Sequence, residues 1–356
     1  MDFENYLNNT AKQIEDELNS FFKSWIKEVK DISPDLVPLA NTLAKHCGGG
    51  KRLRGVLVKL GYEMAKSKQT PDVSKLTSGV LAREILKPAI AYEIFQTAIL
   101  AHDDVIDLSD LRRGKPSMYK ELGGDHYGIS QTICLGDAGF FLASLIISQS
   151  NFPAEEKNKA LTSFSKTIIE TALGEILDVE VPHLNRPKTE ADALTISHLK
   201  TARYTFVGPF DLGATLGGAD QTLLDNLKEF GDKLGIGFQI QDDILGVFGD
   251  EKTLGKSVTS DIEEGKNTLL ITQAQKKASS EQREVLNKYY GKGKIGESEL
   301  SAIRKVFKDT GSLDYSRQVA LKYVTTAKAV IPKITKEPKY SQLLSQMADF
   351  LVERDR

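Results

Sequence analysis

Two cysteines, Cys47 and Cys134, leave no material for a disulfide framework. They fit a reducing compartment, where cysteine serves as a small buried hydrophobe. An excess of charge of one sign is also missing. The formal net charge is −2, which gives no basis for a nucleic-acid surface. Runs of about 18 uncharged apolar residues, the length of a membrane span, do not occur. Residues 1–29 are acidic and amphipathic and lack a basic start followed by an apolar stretch, so a signal peptide is not expected. Alternating Val/Ile/Thr runs between turns are scarce, which disfavours a sheet. No Pro/Ser-rich linker divides the chain, and no repeat of solenoid period is visible. What these absences leave is a single all-helical domain over residues 1–356, expected in the cytoplasm, without a nucleic-acid partner or a membrane span.

What is present suits that reading. Hydrophobic residues make up 40% of the chain, enough for a sizeable core. Phe21, Phe22, Trp25, Ile26 and Val29 fall on one helical stripe within residues 5–29. Further helices are expected over 75–107, 130–150, 155–181, 193–219, 222–248 and 313–330, with Pro88 marking a kink or boundary. Loop signals stand at Gly48-Gly49-Gly50, from Ser109 to Pro116, and from Gly249 to Gly265.

Two acidic clusters end apolar helices. The first reads Ala98-Ile99-Leu100-Ala101-His102-Asp103-Asp104-Val105-Ile106-Asp107. Asp103 and Asp107 are four apart, hence on one helix face and about 6 Å apart along the axis. Carboxylates that close repel unless a cation sits between them. The second cluster, Gly237 to Gly246, delivers Asp242 and Asp243 in the same way. All-oxygen donors with few protein ligands per ion suit Mg²⁺ completed by substrate phosphates. One such pair alone would more often be a solvated helix end; two of them inside apolar helices make that reading weaker. An EF-hand is disfavoured, because neither cluster shows the alternating twelve-residue loop.

Three basic segments accompany them: Gly48 to Arg54, Leu111 to Lys115, and the stretch holding Lys252, Lys256 and Lys266. Arginine forks and lysine point charges bind phosphate, and glycine lets backbone approach an anion. A lone surface lysine means nothing, and the glycine run is not a Walker A loop. Arg112 and Arg113 follow the first acidic cluster by one short loop, however, and Lys256 follows the second. Carboxylates and cations so interleaved point to a polyphosphate ligand.

The stretches GGGKRLRG (48–55), DDVIDLSDLRRGKP (103–116), LKTA (199–202) and GFQIQDDILGVFGDEKTLGK (237–256) together resemble the trans-isoprenyl diphosphate synthases, the farnesyl and geranylgeranyl diphosphate synthase group. The likeness spans roughly residues 40–270. It implies an isoprenoid-synthase-like bundle of long helices around a central cavity, usually a homodimer. It implies Mg²⁺, three ions per site with Mn²⁺ as a substitute, bound by Asp103, Asp107 and Asp242 with Asp104 and Asp243 in support. It assigns Arg112, Lys200, Lys256 and Lys266 to the allylic diphosphate, and Lys51, Arg54, Arg113 and Gln96 to isopentenyl diphosphate. Thr201 and Gln239 would face the carbocation. The second motif departs from the family's DDxxD by carrying Gly246 at its last position, and Asp250, one turn further on, is the expected compensation.

Chain length in this group is read from the helix before the first aspartate. Here Ala98 and Ile99 stand where fifteen-carbon enzymes often carry aromatic rings, with Phe95 and Tyr92 lower down. The same residues could be plain core. The open upper floor suggests a geranylgeranyl product, with farnesyl as the alternative. A terpene cyclase would not need the Lys51/Arg54 segment or the paired arginines, and a non-catalytic binding subunit would not need both aspartate pairs.

Overall fold

The computed structural model describes residues 2–68, 83–251 and 257–352. Lys252 and Lys256 lie outside them. The expected all-α class is observed. Among the described residues the strands are one two-residue antiparallel pair, β1 (Leu111–Arg112) and β2 (Lys115–Pro116).

The helices are divided between two compact units. The first comprises 1–165, 208–228 and 334–343; the second comprises 166–207, 229–333 and 344–356. Within the first, α1 (Phe3–Ile32) is capped by Asp2, whose carboxylate accepts from the Asn5 N–H. It packs with α2 (Val37–Cys47), α3 (Leu53–Ser67) and α4 (Leu86–Ile106). Pro88 sits in the first turn of α4, where a missing N–H costs nothing.

After β2 come the short α5 (Met118–Glu121) and then α6 (His126–Gln149), which runs along α4. Small residues set that approach: a Cβ on Gly139 would stand 3.0 Å from the Ala98 Cβ. By length and composition α6 is the one helix among the described residues that could cross a membrane. Its Leu135, Leu142, Ala143, Ile146 and Ile147 are buried, whereas Phe141 and Leu145 are exposed. Next are α7 (Ala154–Glu180), α8 (Glu190–Ile196), a π-helix over Ser197–Val207, α9 (Gly208–Leu216) and α10 (Gln221–Phe248). The helix expected over 193–219 is thus three segments. In the first unit α9 lies hard against α3, where a Cβ on Gly61 would be 2.6 Å from the Phe210 carbonyl oxygen.

The second unit holds α11 (Ser260–Glu263), α12 (Leu269–Lys277), α13 (Ser280–Tyr289), α14 (Glu297–Asp309) and α15 (Ser312–Lys328), followed by α16 (Ile331–Ile334); α17 (Pro338–Val352) ends the described chain. Its core joins Ile240, Ile244 and Val247 of α10 to Ile262, Leu270, Ile303 and Phe307. Burying each such side chain contributes about 1.5–3 kcal/mol.

Candidate active site

In the first unit, α4 is buried along most of its length and ends in acid. Asp103 and Asp107 are half-buried one turn apart, and Asp107 closes the helix with its N–H on the Asp103 carbonyl at 2.9 Å. Asp104 is 3% exposed. Burial pushes its carboxyl up to about 6, against the opposing pull of Arg112. The Arg112 Nε donates to Asp104 Oδ1 at 2.8 Å, and Nη2 to Asp103 Oδ2 at 2.8 Å. A tight turn presents this arginine. Arg113 (φ 54°) and Gly114 (φ 71°) link β1 to β2, the paired positive φ values of a type I′ hairpin.

Arg113 goes elsewhere. Its Nη1 lies 3.4–3.5 Å from the carbonyl oxygens of Gly49 and Gly48, and a Cβ on Gly50 would be 3.2 Å from its guanidinium. The glycine loop, Arg113, Arg112, Asp104 and Thr97 line one cavity of about 360 Å³. Lys115 of the second basic segment also lines it, as do Lys45, His46 and Glu121, which were not anticipated. Lys45 Nζ is 2.7 Å and His46 Nε2 3.1 Å from Glu121. Burial pulls the His46 pKa down, against Glu121, so the ring is neutral near pH 7. A signal existed: Lys45 and His46 stand just before the glycine run, with Cys47 between. Lys51, Arg54 and Gln96 lie on adjoining segments but are not part of this lining.

The chain-length candidates divide. Phe95 is fully buried in an aromatic cluster, with ring centroids 4.9 Å from Phe164, 5.6 Å from Tyr92 and 5.8 Å from Phe140. Ala98 is fully buried against Gly139 of α6. Ile99 is half-buried.

The second unit gathers Lys200, Thr201, Gln239, Asp242, Asp243 and Lys266. Lys200 and Thr201 sit on the π-helix, a rare form that recurs at functional sites. Glycines let neighbouring helices meet this segment closely: a Cβ on Gly174 of α7 would be 2.5 Å from the Lys200 nitrogen, and one on Gly231 of α10 would be 3.0 Å from Val207. The Thr201 hydroxyl donates to Gln239 Oε1 at 2.5 Å, and Gln239 Nε2 donates to Asp243 Oδ1 at 2.7 Å. Gln239 thereby links Asp243 to Thr201.

Four carboxylates here escaped sequence reasoning. Lys200 Nζ is 2.8 Å from both Glu175 and Asp178, and Lys266 Nζ is 3.5 Å from Asp178 and 3.0 Å from Glu264. Asp261 stands beside Gly246. These partners lie far from the lysines or the aspartate motif along the chain, Glu264 apart, so no local pattern announces them. Asp250 lies two residues beyond α10, which ends at Phe248.

Among the described residues no three His, Cys, Asp or Glu side chains are gathered closely enough to hold a metal alone. Two carboxylates one turn apart therefore fit a hard cation that takes its remaining ligands from phosphate and water, as Mg²⁺ does, and not a closed protein cage.

A family model described as polyprenyl synthetase matches residues 37–307. The geranylgeranyl diphosphate synthase of Methanosarcina mazei is 31% identical over 86% of this chain and 86% of its own length. The geranylfarnesyl diphosphate synthase of Natronomonas pharaonis is likewise 31% identical, over 86% of each chain. Among solved structures, a geranylgeranyl pyrophosphate synthase from Corynebacterium glutamicum, complexed with isoprenyl diphosphate and magnesium, superposes with a TM-score of 0.89. That match has 25% identity and covers 99% of this chain and 100% of the other.

Proposed function

Because the chain belongs to the polyprenyl synthetase family, we propose that it joins isopentenyl diphosphate to allylic diphosphates and releases linear geranylgeranyl diphosphate. The observation that carries this reading is the cavity beneath the Gly48–Gly50 loop. Arg113 reaches it at the glycine loop, while its neighbour Arg112, which lines the same cavity, holds Asp103 and Asp104, so the hairpin offers two places for an anion, one at the loop and one at the aspartates. A condensation of two diphosphates needs two such sites; a cyclase needs one. The relatives named for geranylgeranyl products support the chain length.

In this scheme the allylic C–O bond breaks heterolytically. The double bond of isopentenyl diphosphate attacks the resulting cation, a proton is lost, and diphosphate leaves. Asp103, Asp107 and Asp242 would hold Mg²⁺, three ions per site and replaceable by Mn²⁺, which would supply neutralising charge to the leaving diphosphate. Asp104 and Asp243 orient these ligands. Lys200 and Lys266, with Lys256 and Arg112, hold the allylic diphosphate. Lys51, Arg54, Arg113 and Gln96 hold isopentenyl diphosphate. The Thr201 hydroxyl and Gln239 amide, locked together, direct lone-pair dipoles at the growing positive charge. Phe95, Ala98 and Ile99 set how far the product extends.

The chain works as one synthetase domain in a cytoplasmic homodimer. Tyr127, Phe141 and Leu145, exposed at helical spacing on α6, support a face for a second copy.

The test is elongation of dimethylallyl, geranyl and farnesyl diphosphates with labelled isopentenyl diphosphate and Mg²⁺, with Asp103→Ala as control. A linear twenty-carbon alcohol after dephosphorylation, lost in the variant, is expected. A fifteen- or twenty-five-carbon stop would overturn the product assignment, and no elongation from any primer would overturn the reaction.

A further inference from the structure

The π-helix Ser197–Val207 carries Lys200 and Thr201, and the two helices packed on it in the second unit treat it alike. Each offers glycine where backbones must come close. A Cβ on Gly174 of α7 would be 2.5 Å from the Lys200 nitrogen, and one on Gly235 of α10 would be 2.4 Å from Ala202. Each also offers a carboxylate near that glycine. Glu170 of α7, one turn before Gly174, pairs with the Arg203 Nε. Asp232 of α10, between Gly231 and Gly235, takes two partners. Its Oδ1 lies 2.9 Å from His198 Nε2 and 3.7 Å from Arg203 Nη1.

His198 and Arg203 bracket Lys200 and Thr201, and they stand five residues apart. That spacing decides what Asp232 does. An α-helix turns about 100° per residue, so side chains five apart point about 140° away from one another. One carboxylate beside such a helix cannot reach both. A π-helix bonds residue i to residue i+5, which sets the same two side chains one above the other. The shared carboxylate therefore exists only in the wider winding. In that winding Lys200 turns to Glu175 and Asp178 of α7, and Thr201 turns to Gln239 of α10. The Arg203 side chain is only 12% exposed, so losing a partner would leave its charge poorly compensated.

We propose that Asp232 is a positioning residue: by holding His198 and Arg203 on one carboxylate it keeps residues 197–207 in the π winding, and so keeps Lys200 and Thr201 aimed at the reacting diphosphate and cation. This rests on the function proposed above for what those two side chains are aimed at, whereas the winding itself does not.

The experiment compares the full-length protein with Asp232→Ala, Asp232→Asn and Asp232→Glu. The readouts are primer elongation, thermal denaturation, and amide hydrogen exchange of residues 197–207 followed by mass spectrometry. Asp232→Ala should lower kcat roughly 100-fold, the scale on which a misplacement of about 1 Å acts. The KM for isopentenyl diphosphate should not change, because Lys51, Arg54, Gln96 and Arg113 belong to the first unit. Exchange over 197–207 should quicken roughly 10-fold, while that of α12 stays parental. Asp232→Glu keeps the charge and should recover most of the rate; Asp232→Asn keeps the shape without the charge and should fall between. A parental kcat in Asp232→Ala, or in Asp232→Asn where the alanine variant does not fold, would overturn the proposal while leaving the function intact. A lost rate with parental exchange over 197–207 would also overturn it, since Asp232 would then act on something other than the winding. Equal losses in all three variants would show that the shared charge is not what holds the segment, and would overturn it too. A parent protein that elongates no primer would remove the functional premise, and exchange in the variants would still decide the winding.

Discussion

Arg112 holds two successive aspartates of one helix end, Asp104 through Nε and Asp103 through Nη2, each at 2.8 Å. The planar fork makes this double hold possible, and a lysine ammonium at the same place cannot reproduce it. A charge-assisted hydrogen bond contributes about 1.5–3 kcal/mol. Arg112→Lys should therefore lower elongation roughly 10- to 100-fold with circular dichroism unchanged. A variant with the parental rate would show that the fork has no part in the reaction.

The α3–α9 contact yields a stability prediction. A Cβ on Gly213 would fall within the space of the Val58 carbonyl oxygen, and the surrounding atoms are backbone, which cannot rotate away. Gly213→Ala should cost about 3 kcal/mol or more, at or above the upper end for overpacked cores, measured as a lowered urea midpoint. Gly49→Ala would meet nothing within 4 Å, so any cost there comes only from its φ of 75°. Equal midpoints for Gly213→Ala and the parent would contradict this packing.

The two cysteines should behave oppositely. Burial pushes the Cys47 thiol up to about 12, whereas Cys134 is exposed. Since the thiolate is the reactive form, a thiol reagent at pH 8 should label one cysteine in the native protein and two after denaturation. Cys134→Ser should label none until unfolded. The folded state keeps the Cys47 proton more tightly than the unfolded chain does, so stability should fall as pH rises from about 9 toward 12. Rapid native labelling of Cys47 would contradict its placement.

Both aspartate motifs were legible because helical periodicity and the acidic ending sit in one continuous stretch: α4 and α10 end where the pattern placed them. The π-helix was not, since its wider turn depends on contacts from Gly174 and Gly231, which no local periodicity encodes. The same holds for Glu175, Asp178 and Asp261. Glu175 and Asp178 are polar positions on a long helix, and only the fold sets the Lys200 ammonium 2.8 Å from both. Asp250 lies beyond the end of α10 at Phe248, so helical spacing alone does not place its side chain.

Arg52 has a positive φ of 54° and a buried guanidinium. Its Nε donates to Glu15 of α1 at 2.8 Å, and its Nη1 lies 3.5 Å from Glu93 of α4. A ribosome delivers these three residues in order, at about 5–20 residues per second. When α1 emerges, the arginine that will tie it down has not been made, and the buried carboxylate that flanks that arginine comes later still. The N-terminal helix must therefore wait, exposed in the growing chain, until residue 93 is clear of the exit tunnel.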